Sequence, residues 1–189
     1  MNANKHNTPK IGQKNRVFII AEAGVNHNGR LDLALKLVDA AAYAGADAVK
    51  FQTFRAEQVV TNAGEMAEYQ KKNLGKTKSQ MAMLKKLELK EKYYESIIKR
   101  CKEQKTMFMS TPHGHIDSTN FLHKLGVTAF KVGSGDITNR PYLEHMARFG
   151  KWIILSTGMS TLKEVTEAVG WIKKAGVNIV IYANHLLRS

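Results

Sequence analysis

One phrase recurs along this chain and limits what it can become: a helical pattern, a glycine, then a short apolar run. Leu31, Ala34, Leu35, Val38, Ala41 and Ala42 fall at helical spacing and end at Gly45, after which Ala48-Val49-Lys50-Phe51 reads as a strand. The phrase returns at Gly126 before Val127-Thr128-Ala129-Phe130, at Gly150 before Trp152-Ile153-Ile154-Leu155, and at Gly176 before Ile179-Val180-Ile181. Thr161 and Glu164 have the spacing of a capping box, and Pro141 suits the first turn of a helix. Repeated βα units of this kind imply a parallel sheet with helices between its strands.

Six strands are predicted, at about 17–21, 48–52, 106–110, 128–132, 152–156 and 178–182. The fold class is therefore α/β, either an incomplete (β/α)8 TIM barrel or an open doubly wound sheet. A dinucleotide-binding sheet would want G-x-G-x-x-G after its first strand, whereas this chain has Glu22-Ala23-Gly24-Val25-Asn26-His27. Residues 55–80 break the rhythm as a long polar excursion, and a polar helical stretch over 81–104 follows. Residues 1–15 are polar and read as a disordered tail, leaving 16–189 as one partial-barrel domain.

Composition excludes several classes. No apolar run is long enough to span a bilayer, and the N-terminal stretch lacks the apolar core of a secretory signal. The single cysteine, Cys101, rules out an internal disulfide, fits a cytoplasmic location, and reads as inert packing. Net charge is +13, and residues 71–105 hold twelve Lys/Arg against four Glu. A basic surface can attract nucleic acid, but no zinc-finger spacing or aromatic-interleaved motif accompanies it, so solvated helix faces and small anionic ligands fit better.

In α/β proteins, ligands gather at the carboxyl ends of parallel strands. Those ends carry a consistent chemistry here. The first offers Glu22, Asn26, His27 and Asn28; the second Lys50, Gln52 and Thr53; the third Ser110 and Thr111; the fourth Lys131, Ser134 and Asp136; the fifth Ser156 and Thr157. Two lysines, several hydroxyls and glycine-exposed N–H groups suit an anion bearing phosphate and carboxylate. Lys50 and Lys131 could equally be neutralised within the fold by Glu22 and Asp136, and a single desolvated lysine could serve a Schiff-base aldolase. His113 and His115 have no third partner at metal-ligand spacing and read as surface histidines.

Five motifs in order resemble the sialic-acid synthase family, which includes N-acetylneuraminate and legionaminic acid synthases. They are Ile20-Ala21-Glu22-Ala23-Gly24 with Asn26-His27-Asn28-Gly29; Asp47-Ala48-Val49-Lys50-Phe51-Gln52-Thr53-Phe54; Ser110-Thr111-Pro112; Phe130-Lys131-Val132-Gly133-Ser134-Gly135-Asp136; and Ile154-Leu155-Ser156-Thr157-Gly158-Met159. The resemblance covers about 17–176. It implies a (β/α)8 barrel that condenses phosphoenolpyruvate with an N-acetylated hexosamine, helped by a divalent metal (Mn or Mg). It assigns Lys50, Thr111, Lys131, Ser134 and Ser156 to phosphoenolpyruvate and Asn26, His27, Gln52 and Tyr69 to the sugar. Glu22 and Asp136 take the catalytic proton-handling roles.

Trp152 and His113-Gly114-His115 depart from the family's pattern. The resemblance also implies that the last two barrel strands, with the family's two metal-binding histidines, lie beyond Ser189, as does a small antifreeze-like domain. The expectation is a truncated synthase, from a gene fragment, a shifted frame or a split protein. Such a piece would be inactive alone, or would only bind phosphoenolpyruvate or an intact homologue. The full-length family is expected to form homodimers.

Overall fold

The computed structural model describes residue 11 and residues 17–59, 80–113, 115–177 and 180–183. The chain divides into two compact units, Met1–Phe108 and Met109–Ser189. In the first, β1 (Ile20–Gly24) leads through α1 (Leu31–Tyr43) to β2 (Ala48–Gln52), followed by the short α2 (Ala56–Val59), α3 (Gln80–Leu87), a 3-10 turn (Glu91–Tyr93) and α4 (Tyr94–Glu103). β1 and β2 are parallel, with Glu22 opposite Lys50 and a register shift before Gly24, which stands opposite Phe51.

β1 begins later than its apolar run suggests, so Glu22 lies within the strand rather than at its end. A side chain closes the strand's start: the Asp47 carboxylate accepts the Ile19 N–H at 2.9 Å. The Ile19 carbonyl in turn takes the N–H groups of Asp47 and Ala48. The helical stretch expected over 81–104 is broken at residues 88–90, because Glu88 leaves the helical path to accept the Ala56 N–H at 3.0 Å.

Ala34, Val38 and Ala41 give α1 a narrow buried stripe. Phe51 stacks on Phe108 at 5.7 Å, and Tyr94 meets Phe108 edge-on at 6.1 Å. The Tyr94 hydroxyl donates to Thr53 Oγ1 at 3.0 Å, so burying the ring strands no polar atom. Arg100 of α4 grips Asp39 of α1 through Nε at 2.7 Å and Nη2 at 2.9 Å, and Gln104 adds a third bond to the same carboxylate. Cys101 is buried beneath this clamp, and burial pushes its thiol up to about 12. It is expected to stay unreacted toward a thiol reagent at neutral pH until the chain is unfolded in urea.

The unit boundary falls inside β3 (Met107–Thr111). The second unit continues with α5 (Ile116–Lys124), β4 (Ala129–Val132), a 3-10 turn (Ser134–Asp136), α6 (Arg140–Ala147), β5 (Trp152–Ser156), α7 (Leu162–Lys174) and β6 (Val180–Ala183). The pairs β3–β4, β4–β5 and β5–β6 are all parallel. Helix α6 starts at Arg140, one residue before Pro141, because the Asn139 side chain accepts the Tyr142 N–H and caps it. The capping box at Thr161 and Glu164 is fully formed at the start of α7. The expected tail at 1–15 lies outside the described residues apart from residue 11. No helix of the described residues is long and apolar enough to cross a membrane.

Candidate functional site

In the first unit, the strand pairing joins Glu22 and Lys50. Lys50 Nζ lies 2.5 Å from Glu22 Oε2, with the lysine side chain 11% exposed and the carboxylate 56% exposed. The ammonium is sunk and the acid is open to solvent. Gly24 adopts φ +55°; a Cβ there would stand 3.5 Å from Glu22 Oε1 and 3.9 Å from Gln52 Nε2. Those are ordinary contacts, so it is the left-handed backbone that calls for glycine here. Lys50 and Gln52 project from one face of β2, and Val49 and Phe51 from the other.

Asn26 and Asn28 are exposed in the following turn. His27, assigned to the sugar by resemblance, is instead 0% exposed. Its ring lies 5.9 Å from Phe51, the residue on the far side of β2 from Lys50. Burial pushes the imidazole below its ordinary range. The ring is thus packed inward against Phe51 while its neighbours Asn26 and Asn28 are exposed. Tyr69 lies outside the described residues.

In the second unit, Lys131 and Ser156 meet at the carboxyl ends of adjacent strands. Lys131 Nζ donates to Ser156 Oγ and, at 2.9 Å, to the Val132 carbonyl. The register explains the meeting: Lys131 is opposite Ile154, and Ser156 lies two residues further along the same face. Ser110 pairs with Phe130, so Thr111 stands level with Lys131 on the other flank. Thr111 and Lys131 are buried, and Ser134 is half-buried in the 3-10 turn beyond β4. One ammonium and two hydroxyls thus line up across β3, β4 and β5.

Asp136 closes that turn, its Oδ2 3.5 Å from where a Cβ on Gly133 would sit. Burial raises its carboxyl above the ordinary aspartate range, and the charge of His115 pulls it partly back. His115 is half-buried and acts on Asp136, so it is not the surface residue its spacing suggests. Only packing of the loop after β3 reveals this. His113, beside it, is held at φ +33°.

A raised aspartate destabilises the fold when ionised, and the penalty vanishes as pH falls toward the unfolded carboxyl's range. Asp136→Asn is therefore expected to be more stable than the parent at pH 7. That advantage should shrink toward pH 4, as read by urea unfolding at each pH. Among the described residues no group of three or more His, Cys, Asp or Glu is placed to hold a metal ion.

Parallel strands separated by helices, with polar and charged side chains at their carboxyl ends in each unit, define a βα-repeat scaffold. The NeuB family model matches residues 37–185, and the chain belongs to that family. It is 46% identical over 161 residues to an N,N'-diacetyllegionaminic acid synthase of Campylobacter jejuni, covering 85% of this chain and 48% of the relative. It is 48% identical over 162 residues to the synthase of the same name from Legionella pneumophila, covering 86% and 45%. Among solved structures, an N-acetylneuraminic acid synthetase from Leptospira borgpetersenii superposes with TM-score 0.75 at 34% identity, over 90% of this chain and 54% of that one. A DAHP synthase from Thermotoga maritima shares the TIM-barrel-like fold at TM-score 0.63 and 12% identity. The chain spans about half the length of the curated relatives it matches.

Proposed function

We propose that this chain carries the phosphoenolpyruvate-handling half of a cytoplasmic nonulosonic acid synthase, the whole enzyme being a homodimer that condenses phosphoenolpyruvate with an N-acetylated hexosamine. The observation that supports it most directly is the row of donors formed by Thr111, Lys131 and Ser156. An ammonium flanked by hydroxyls at strand ends matches an anion with several oxygens. Ser134 extends the row. Lys50 joins the same assignment through its motif.

The chemistry follows from the ligand. C3 of the enol phosphate attacks the sugar's aldehyde carbon, forming the new C–C bond, and the aldehyde oxygen takes up a proton. Water adds at C2, and the tetrahedral centre then breaks its C–O bond to release phosphate. Asp136, whose burial favours the protonated form, is assigned the proton for the aldehyde oxygen. Glu22, open to solvent above Lys50, is assigned to the attacking water. Asn26, Gln52 and Tyr69 are the sugar-facing residues of this reading. A Schiff-base aldolase is less well supported, since Lys50 would have to leave its pair with Glu22 to act as a nucleophile.

The test is calorimetry of the purified chain with phosphoenolpyruvate, with phosphate release measured in parallel after adding N-acetylmannosamine and manganese. Saturable binding, competed by inorganic phosphate, is the expected result. Absence of any phosphoenolpyruvate binding would overturn the proposal.

A further inference from the structure

His27 is the one fully buried titratable side chain of the β1–α1 turn, and the reaction above gives it no task. Its surroundings are specific. Nδ1 accepts the Gly29 N–H at 3.0 Å, which fixes the ring hydrogen on Nε2. Among the described residues Nε2 has no hydrogen-bond partner, although the atom is buried. The ring rests on Phe51. Gly29 is itself wedged: at φ +70°, a Cβ would lie 2.6 Å from the Lys86 carbonyl oxygen and 3.2 Å from that of Glu88.

The backbone on both sides of the imidazole is tied down. The His27 carbonyl accepts the Arg30 N–H at 2.9 Å, entering α1, and the Ala23 carbonyl accepts the Asn26 N–H at 3.1 Å, leaving β1. Glu22 opposite Lys50 is the last regular rung of the β1–β2 pairing, and the register shift between Glu22 and Gly24 separates it from the turn that His27 occupies. Past such an irregularity the ladder no longer fixes the chain, so the turn needs its own ties.

We infer that His27 is a positioning residue: a neutral imidazole that pins the β1–α1 turn through Gly29 and Phe51 and so keeps Glu22 seated on Lys50. This rests on the functional reading above only for what Glu22 and Lys50 do. The pinning itself is independent of it. In this role the residue acts through the turn. Its contribution is that the acid and the ammonium of β1 and β2 do not have to be ordered when a ligand arrives.

Two variants separate this role from simple packing. His27→Phe keeps a flat ring on Phe51 but removes the acceptor, whereas His27→Asn restores an acceptor near the Nδ1 position. His27→Phe is expected to speed hydrogen exchange at the Gly29 amide about tenfold, the weight of one ordinary hydrogen bond. Phosphoenolpyruvate affinity should fall by a similar factor. Thr161→Ala, which removes the distant α7 cap, should lower stability without moving either readout. His27→Asn is expected to recover both.

Unchanged Gly29 protection in His27→Phe would overturn the inference, as would a nitrogen NMR spectrum of the wild-type imidazole with the hydrogen on Nδ1. That spectrum decides the matter even where His27→Phe does not fold. If the wild type does not bind phosphoenolpyruvate, the functional reading fails, while Gly29 exchange still judges the pinning.

Discussion

Replacing Lys131 by Met is expected to weaken phosphoenolpyruvate binding by about 10- to 100-fold, the equivalent of roughly 1.5–3 kcal/mol for a charge-assisted contact. Methionine keeps the length of the stem, so the buried strand β4 loses a charge without gaining a hole. Ser156→Ala should cost less, about 1 kcal/mol, because a neutral hydroxyl is removed. The two residues touch, so their effects should not add: the double variant is expected to be weaker than Lys131→Met by less than Ser156→Ala alone would suggest. Calorimetry on the four proteins reads this directly. Wild-type affinity in Lys131→Met would remove the principal donor from the proposed site.

Gly29→Ala is expected to be the most damaging methyl addition among the described glycines of the first unit. Two penalties combine there. The left-handed backbone costs an L-residue about 1–2 kcal/mol, and the new Cβ would meet a backbone oxygen that has no rotamer to move into. Together they should exceed about 3 kcal/mol, or roughly 6–12 °C in midpoint for a chain of this size. Gly45 provides the control. It has φ +76° with nothing within 4 Å of an added methyl, so Gly45→Ala should show the backbone penalty alone. Equal losses at the two positions, measured by urea unfolding, would show that the Lys86 carbonyl is not a barrier.

Most of the architecture is legible in the chain because local signals and tertiary ones agree. The helix-glycine-strand phrase reports backbone geometry that no neighbour has to supply, and β2 and β5 occupy the residues it marks. β1 departs from its apolar run because its start is decided by a remote carboxylate. Asp47 takes the N–H of Ile19, and hydropathy carries no trace of that bond. The break in the helical stretch after Leu87 has the same origin, since Glu88 is drawn to a backbone N–H 32 residues away.

The strand-end chemistry is legible as residue types, and less so as roles. Lys131 and Ser156 meet as their registers require. His27 keeps company in sequence with two exposed asparagines, which suggests a ligand-facing loop, while the turn rotates it inward onto Phe51. His115 lacks a metal-ligand partner at the right spacing, and its influence on Asp136 depends on two loops that are 21 residues apart in the chain.

The five residues of β2 carry two records at once. Lys50 and Gln52 stand on the face assigned to the proposed site; Val49 and Phe51 are buried on the other. A saturation scan along this ribbon would therefore show sensitivity that changes kind at every step, yield collapsing at one position and ligand affinity at the next. A slip of the ribbon by a single place would exchange the two faces outright.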